Sequence, residues 1–300
     1  MIRLLRANMT RLGMNGVFRA GIPVSAGMGA LCPVIAGWMV NRKNALINLA
    51  IGNLSEEELS LDHFLFPWMI FLAVYFALQC SCFVGTDYHD GTVRNKIAAG
   101  YSRTDIYMAD FIANAAAGCI LFTIYIIPAW CAGRLYMGKL QVFTQSGMVA
   151  YILLMYVLMI ALAGICTMVS MLISSEALAV ILCLGIVVAF LLLAIWMIYS
   201  LDAPEYFEPA FEGDDSTYII RGITYHIGDP NPYYVGGVRR VLDQFLLNFL
   251  PGGAFMIFFM YMSDTVLFEL NVGICFLGAA FFAAVPTMAG VALFRRKELN

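Results

Sequence analysis

Six stretches of about twenty residues in which apolar side chains dominate constrain this chain most, at residues 20–40, 64–84, 107–131, 148–172, 178–200 and 272–293. A bilayer core takes about 20 residues of α-helix to cross, so each stretch has the length of a tilted span. In lipid the backbone must satisfy its own hydrogen bonds, which makes each run a helix. Of the 300 residues 62% are hydrophobic and only 12% charged. A soluble domain carries about 25% charged residues, so this chain lacks the polar surface to cover so much apolar area. The expected fold class is therefore all-α, a polytopic integral membrane protein with about six transmembrane helices.

The N-terminal arginines Arg3, Arg6, Arg11 and Arg19 precede the first apolar run, as in a secretory signal. That run ends in Gly37-Trp38-Met39-Val40 with no small-residue cleavage site, and it reads as a retained first span. Before it, Ile2, Leu4, Leu5, Met9, Leu12 and Met14 alternate with arginines. That spacing predicts an interfacial helix within 1–19, its arginines toward lipid headgroups. Trp38, Trp68, Trp130 and Trp196 fall toward span ends, as interface anchors do.

Charge sets the expected sidedness. With both termini cytoplasmic, the inner loops hold Arg3, Arg6, Arg11, Arg19, Arg94, Lys96, Arg103, Arg295, Arg296 and Lys297. The short outer loops hold Arg42, Lys43, Arg134 and Lys139, and the long outer loop Arg221, Arg239 and Arg240. The bias follows the positive-inside rule, with Arg42 and Lys43 against it. Two inner termini require an even number of crossings. The further apolar stretch from Leu242 to Met262, cut by Pro251-Gly252-Gly253, is accordingly expected as a broken, interfacial or re-entrant element on the outer side. The organisation is one membrane domain over 1–300: interfacial helix 1–19, spans one to five over 20–200, outer loop 201–271, last span 272–294 and tail 295–300. The outer loop opens with Asp202, Glu205, Glu208, Glu212, Asp214 and Asp215 and carries the turn signal Asp229-Pro230-Asn231-Pro232. A multi-pass protein of a bacterial cytoplasmic membrane is the expected setting.

The segment between spans two and three has the sharpest local chemistry, running from Gly85-Thr86-Asp87 through Gly91-Thr92-Val93-Arg94-Asn95-Lys96-Ile97 to Gly100-Tyr101-Ser102-Arg103-Thr104-Asp105. Asp90 or Thr92 can cap a short helix, Gly100 can end it in the left-handed conformation, and Ser102 with Asp105 forms a capping box for the next helix.

This segment resembles the part of ABC-2 type transporter permeases that bears on the ATPase subunit. The layout is similar too: a surface helix first, six spans, a long outer loop before the last span with Leu250-Pro251-Gly252-Gly253 in it, and the basic tail Phe294-Arg295-Arg296-Lys297. The family usually has Glu a few residues before the Gly-Thr pair, where this chain has Asp87. The resemblance implies an ATPase-coupling surface at Asp87, Gly91, Thr92, Arg94, Lys96, Gly100, Ser102 and Arg103. It also implies a second permease chain, identical or related, to complete a two-sided pathway. A separate ABC ATPase would bind ATP and Mg, with no cofactor on this chain. The expected action is export of a peptide, drug or lipid.

The sequence contains no nucleotide-binding G-x-x-x-x-G-K-[ST], HExxH or G-x-S-x-G, so no enzymatic activity is expected of the chain alone. His63, His89 and His226 lie in three different loops, and no metal site is expected. The eight cysteines sit in or beside apolar runs and read as reduced small hydrophobes. A net charge of −3 points away from nucleic acid. Two rivals stand beside the permease reading, an ion-coupled secondary transporter and a structural or sensory membrane protein. Ion-coupled carriers keep ionisable groups at mid-membrane, and the span centres here lack them; Asp110 lies near the start of span three and Glu176 in an inner turn. Of the polar residues within spans, Gln79, Ser81, Asn114, Thr123, Thr167 and Ser170 are read chiefly as interhelical glue.

Overall fold

Each apolar run folds as one long helix, in a computed structural model that describes residues 1–41, 65–136, 145–207, 218–220, 223–260 and 270–297. The basic pair Arg42 and Lys43, His63, Lys139, Glu208, Glu212, Asp214, Asp215, Arg221 and the last three tail residues lie outside the described residues. The chain is a polytopic helical membrane protein. Among the described residues six helices are long and apolar enough to cross a bilayer, or up to seven if one bent pair is a single span.

Helix α1 (Ile2–Met14) stops at Asn15, whose backbone turns extended and whose side chain accepts the Phe18 N–H at 3.0 Å. That cap starts α2 (Gly16–Asn41), the first spanning helix. Then come α3 (Met69–His89), the short α4 (Thr92–Ala98), α5 (Arg103–Tyr136), α6 (Gln145–Leu172) and α7 (Glu176–Asp202). The tight turn before α7 is capped by Ser175, which accepts the Leu178 N–H.

Small residues set the close contacts, as expected where lipid removes most of the hydrophobic drive between helices. Helix α2 crosses α5 with Gly29 against the Tyr125 carbonyl. Helix α6 lies along the last helix, α10 (Val272–Arg296), where a Cβ on Gly164 would come within 3.0 Å of the Ala283 carbonyl oxygen. Phe76 and Phe83 of α3 and Phe122 and Tyr125 of α5 are fully buried. Outward, α7 and α10 present Ile181, Leu192, Trp196, Leu277 and Met288, the apolar surface a bilayer or a neighbour would cover.

The turn 173–175, the α3–α5 connection, α1 and the end of α10 gather at one end of the bundle. At the far end, α8 (Gly237–Phe249) and α9 (Pro251–Met260) meet at 89° across Leu250. The Pro-Gly-Gly signal thus makes a corner between two helices. Proline occupies the first helical position, where its missing N–H costs nothing. Gly253 lies on the Leu247 carbonyl, Gly252 on that of Phe190 and Gly278 on that of Phe249, so the corner closes by backbone contact.

The fold is not purely helical: Tyr218–Ile220 (β1) and Ile223–Tyr225 (β2) pair antiparallel, Tyr218 opposite Tyr225. The Asp-Pro-Asn-Pro turn is held beside them. Phe207 donates its N–H to Asp229, and the Asp229 carboxylate accepts the His226 N–H at 2.7 Å.

Candidate functional site: a buried charge joint beneath the short helix

The short helix α4 is fixed at both ends by glycine. Gly91 has φ +65° and Gly100 φ +87°, left-handed values that cost a residue with a Cβ about 1–2 kcal/mol. At the C-terminal end Gly100 donates its N–H to Ile97 at 2.9 Å and Tyr101 donates to Lys96 at 3.2 Å, the paired bonds of a Schellman stop. The N-terminal expectation needs correction. Gly91 itself occupies the cap position with no side-chain bond, Thr92 is the first helical residue, and Asp90 turns away to His89 at 3.0 Å. Of the capping box expected ahead of α5, the Ser102 half forms: Ser102 Oγ accepts the Asp105 N–H at 3.1 Å, while the Asp105 carboxylate accepts the Ser102 hydroxyl at 2.7 Å.

Beneath α4 lies a cluster of four charged side chains. Asp87, in the last turn of α3, is 1% exposed, and Asp110, two turns into α5, is 0% exposed. Lys96 of α4 reaches down to Asp87 Oδ2 at 2.7 Å and lies 3.6 Å from Asp110 Oδ1. Arg11 of α1 pairs with Asp87 Oδ1 and lies 3.5 Å from Asp110 Oδ1. Asn8, buried one turn before Arg11, donates to Asp110 Oδ1 at 2.5 Å and accepts from Lys96 at 3.3 Å. The Arg11 guanidinium also stacks over the Phe83 ring, 3.9 Å from its centroid.

Two anions and two cations sum to zero, which is what allows so many charges out of water together. Burial pulls the Lys96 ammonium below its ordinary pKa, opposed by the Asp110 charge and reinforced by that of Arg11. Burial likewise lowers the Arg11 guanidinium, opposed by Asp110 and Asp90. One acceptor, Asp110 Oδ2, is buried with no hydrogen-bond partner among the described residues.

The cluster ties α1, α3, α4 and α5 together. A second set of bonds ties in the chain end. The Arg103 guanidinium donates to the carbonyls of Phe294 and Arg295 at 3.2 Å each, and to that of Lys297. Arg295 Nε donates to Thr104 at 2.8 Å. Lys297 donates to the Tyr88 hydroxyl at 3.2 Å and the Met171 carbonyl at 3.1 Å, and lies over the Tyr88 ring.

The eight sequence-selected residues therefore divide. Asp87 and Lys96 are inside, bonded to each other. Arg103 is turned to the chain end. Arg94 and Ser102 are exposed, as is Gly100; Gly91 and Thr92 are half-buried. Of the three basic residues expected to face a partner, only Arg94 points away from the fold. Arg11, expected toward headgroups, belongs instead to the buried cluster; Asp110 lies near the start of its span as expected and belongs to the same cluster; Arg3 and Arg6 are the exposed arginines of α1. Asn8 was missed altogether. Its signal was Leu4-Asn8-Leu12, three buried residues at i, i+4, i+8 on one face of α1, with a polar side chain in the apolar stripe.

Deeper in the spans, Asn114 donates to Thr167 at 3.0 Å, joining α5 to α6, and Thr123 bonds Tyr156 at 2.8 Å across the same pair. Ser81 bonds within its own helix, to Ala77. Ser170 lies 3.6 Å from Cys183 of α7. Gln79 is fully buried with neither amide atom bonded among the described residues. All eight cysteines are free. No protein-family model matches the chain, and a search of the curated proteins finds no match either.

Proposed function

We propose that this protein is the membrane-spanning permease subunit of an ABC transporter, of the ABC-2 type its α3–α5 segment resembles, working with a second permease chain and a separate ATPase. The single observation that carries the reading is the short helix α4 lying across the bundle end, with Arg94, Asn95, Ala98 and Ala99 exposed and Lys96 rooted in the buried cluster. A helix held this way can pass a push from outside into α1, α3 and α5 together, because Lys96 bonds Asn8 of α1 and Asp87 of α3 and lies beside Asp110 of α5. A charge-bonded joint has few alternative arrangements, which is what force transmission requires. In this reading α4 and both termini face the cytoplasm, α1 lies along that membrane surface, and the α8–α9 corner is a re-entrant element on the outer side. ATP and Mg bind the ATPase. The cargo class is a peptide, drug or lipid leaving the cell.

Affinity purification of the tagged chain from its native membrane, with mass spectrometry of what stays bound, tests this. Wild type should retain a polypeptide with a P-loop, and Arg94→Glu should lose most of it without loss of folded protein. If wild type retains no such polypeptide in several mild detergents, the permease reading fails.

A second reading has one observation in its favour. Asp110 is an acid buried within a spanning helix with one carboxylate oxygen unbonded, a feature ion-coupled carriers use. Uptake or efflux that follows an imposed proton or sodium gradient without nucleotide would select that reading.

A further inference from the structure

A groove of about 600 Å³ runs down the outside of the bundle between α5 and α10, and nothing in the proposed transport cycle uses it. Its floor and walls are Met108 and Phe111 on one side, Ala284 and Thr287 on the other, with Thr104 and Arg295 at its mouth. The mouth is at the end of the bundle where α1 and the end of α10 lie. From Arg295 to Ala284 is eleven residues of helix, about 16 Å at 1.5 Å per residue. That is close to one leaflet, half of a hydrocarbon core about 30 Å thick. The groove therefore opens at headgroup level and extends to about the bilayer midplane.

We infer that this groove is a binding site for an anionic phospholipid, one acyl chain lying between α5 and α10 and the phosphate meeting Arg295. The walls are apolar over the depth of a leaflet, which suits a chain. Only the Nε of Arg295 is bonded, to Thr104, so the two terminal nitrogens of its guanidinium have no acceptor among the described residues. Held at its Nε, the guanidinium is fixed at the mouth with its remaining donors unpaired among the described residues, the arrangement that recognises a phosphate by more than one hydrogen bond. Arg296 beside it is exposed and adds positive charge without lining the groove. A second copy of the chain fits less well. A two-fold contact through the groove would set two such basic mouths against each other. The inference depends on the membrane class of the fold and not on the transport reading.

The full-length protein, in nanodiscs of mixed phosphatidylcholine and phosphatidylglycerol, gives the test by native mass spectrometry of the lipid it retains. Wild type should hold phosphatidylglycerol in preference to phosphatidylcholine by about fivefold, the effect of one arginine beside a headgroup whose phosphate charge no choline cancels. Arg295→Gln should abolish the preference and Arg296→Gln should leave most of it. Ala284→Trp and Ala292→Phe each place a large side chain in the groove from an exposed position, clear of the core. Each should displace the retained lipid while the unfolding temperature stays near wild type, and two variants guard against one that misfolds. No preference in wild type, equal loss from both arginine variants, or retention undiminished in a folded groove-filling variant would each overturn the site. So would a change in oligomeric state from groove filling with retained lipid unchanged, which would assign the groove to a second copy.

Discussion

Asp87 shows how much rests on one side chain at this bundle end. It is the acceptor for both Arg11 and Lys96, and Asp110, the other buried acid of the cluster, is already engaged. Removing one partner of a buried ion cluster strands the others, at a cost of about 3 kcal/mol or more. Asp87→Asn should therefore lower unfolding stability in detergent by about that much, whereas Arg3→Gln, on an exposed arginine of the same α1, should change it little. Pairing Asp87→Asn with Lys96→Met removes one stranded charge and should recover about 1 kcal/mol or more, the coupling expected of direct contacts. Additive losses in that double variant would mean the cluster is not bonded as described.

At the scale of elements, glycine acts in two ways that mutation can separate. A Cβ at Gly100 meets nothing within 4 Å, so Gly100→Ala should cost only the left-handed backbone term, about 1 kcal/mol, read as a lower unfolding temperature. Gly29 has an ordinary helical backbone but lies on the Tyr125 carbonyl, so Gly29→Val must push α2 off α5 and should cost about 1–3 kcal/mol. The helices themselves were legible in the sequence, because a run of about twenty apolar residues has one solution in lipid. So were the C-terminal end of α4 and the start of α5, because Gly100 and Ser102 act through local bonds. The charge cluster was not legible. Asn8 and Asp110 are 102 residues apart and Lys96 and Asn8 are 88 apart, and no local pattern reports which distant charges a fold will pair. That is why Lys96 and Arg103 read as outward contacts when one is bonded inward and the other along the chain end. The hairpin at 218–225 went unread for a different reason: two strands of three residues are too short to show an alternating pattern.

For the whole molecule, the arrangement is a helical bundle whose two ends are built differently. One end is closed by charges that bind α1, α3, α4, α5 and the chain terminus; the other by backbone contact around the Pro-Gly-Gly corner. Under the permease reading the charged end is the driven end, and α4 is where a motor would touch it. The most direct measurement is a photoreactive side chain placed at Ala98, exposed on α4, and in a second variant at Val93, buried on its other face, followed by illumination of native membranes and mass spectrometry of the adducts. A P-loop ATPase joined to position 98 and not to position 93 is the predicted result. Adducts at position 98 that contain lipid alone, or no polypeptide with a P-loop, would contradict a motor-driven permease and leave the buried Asp110 as the better lead.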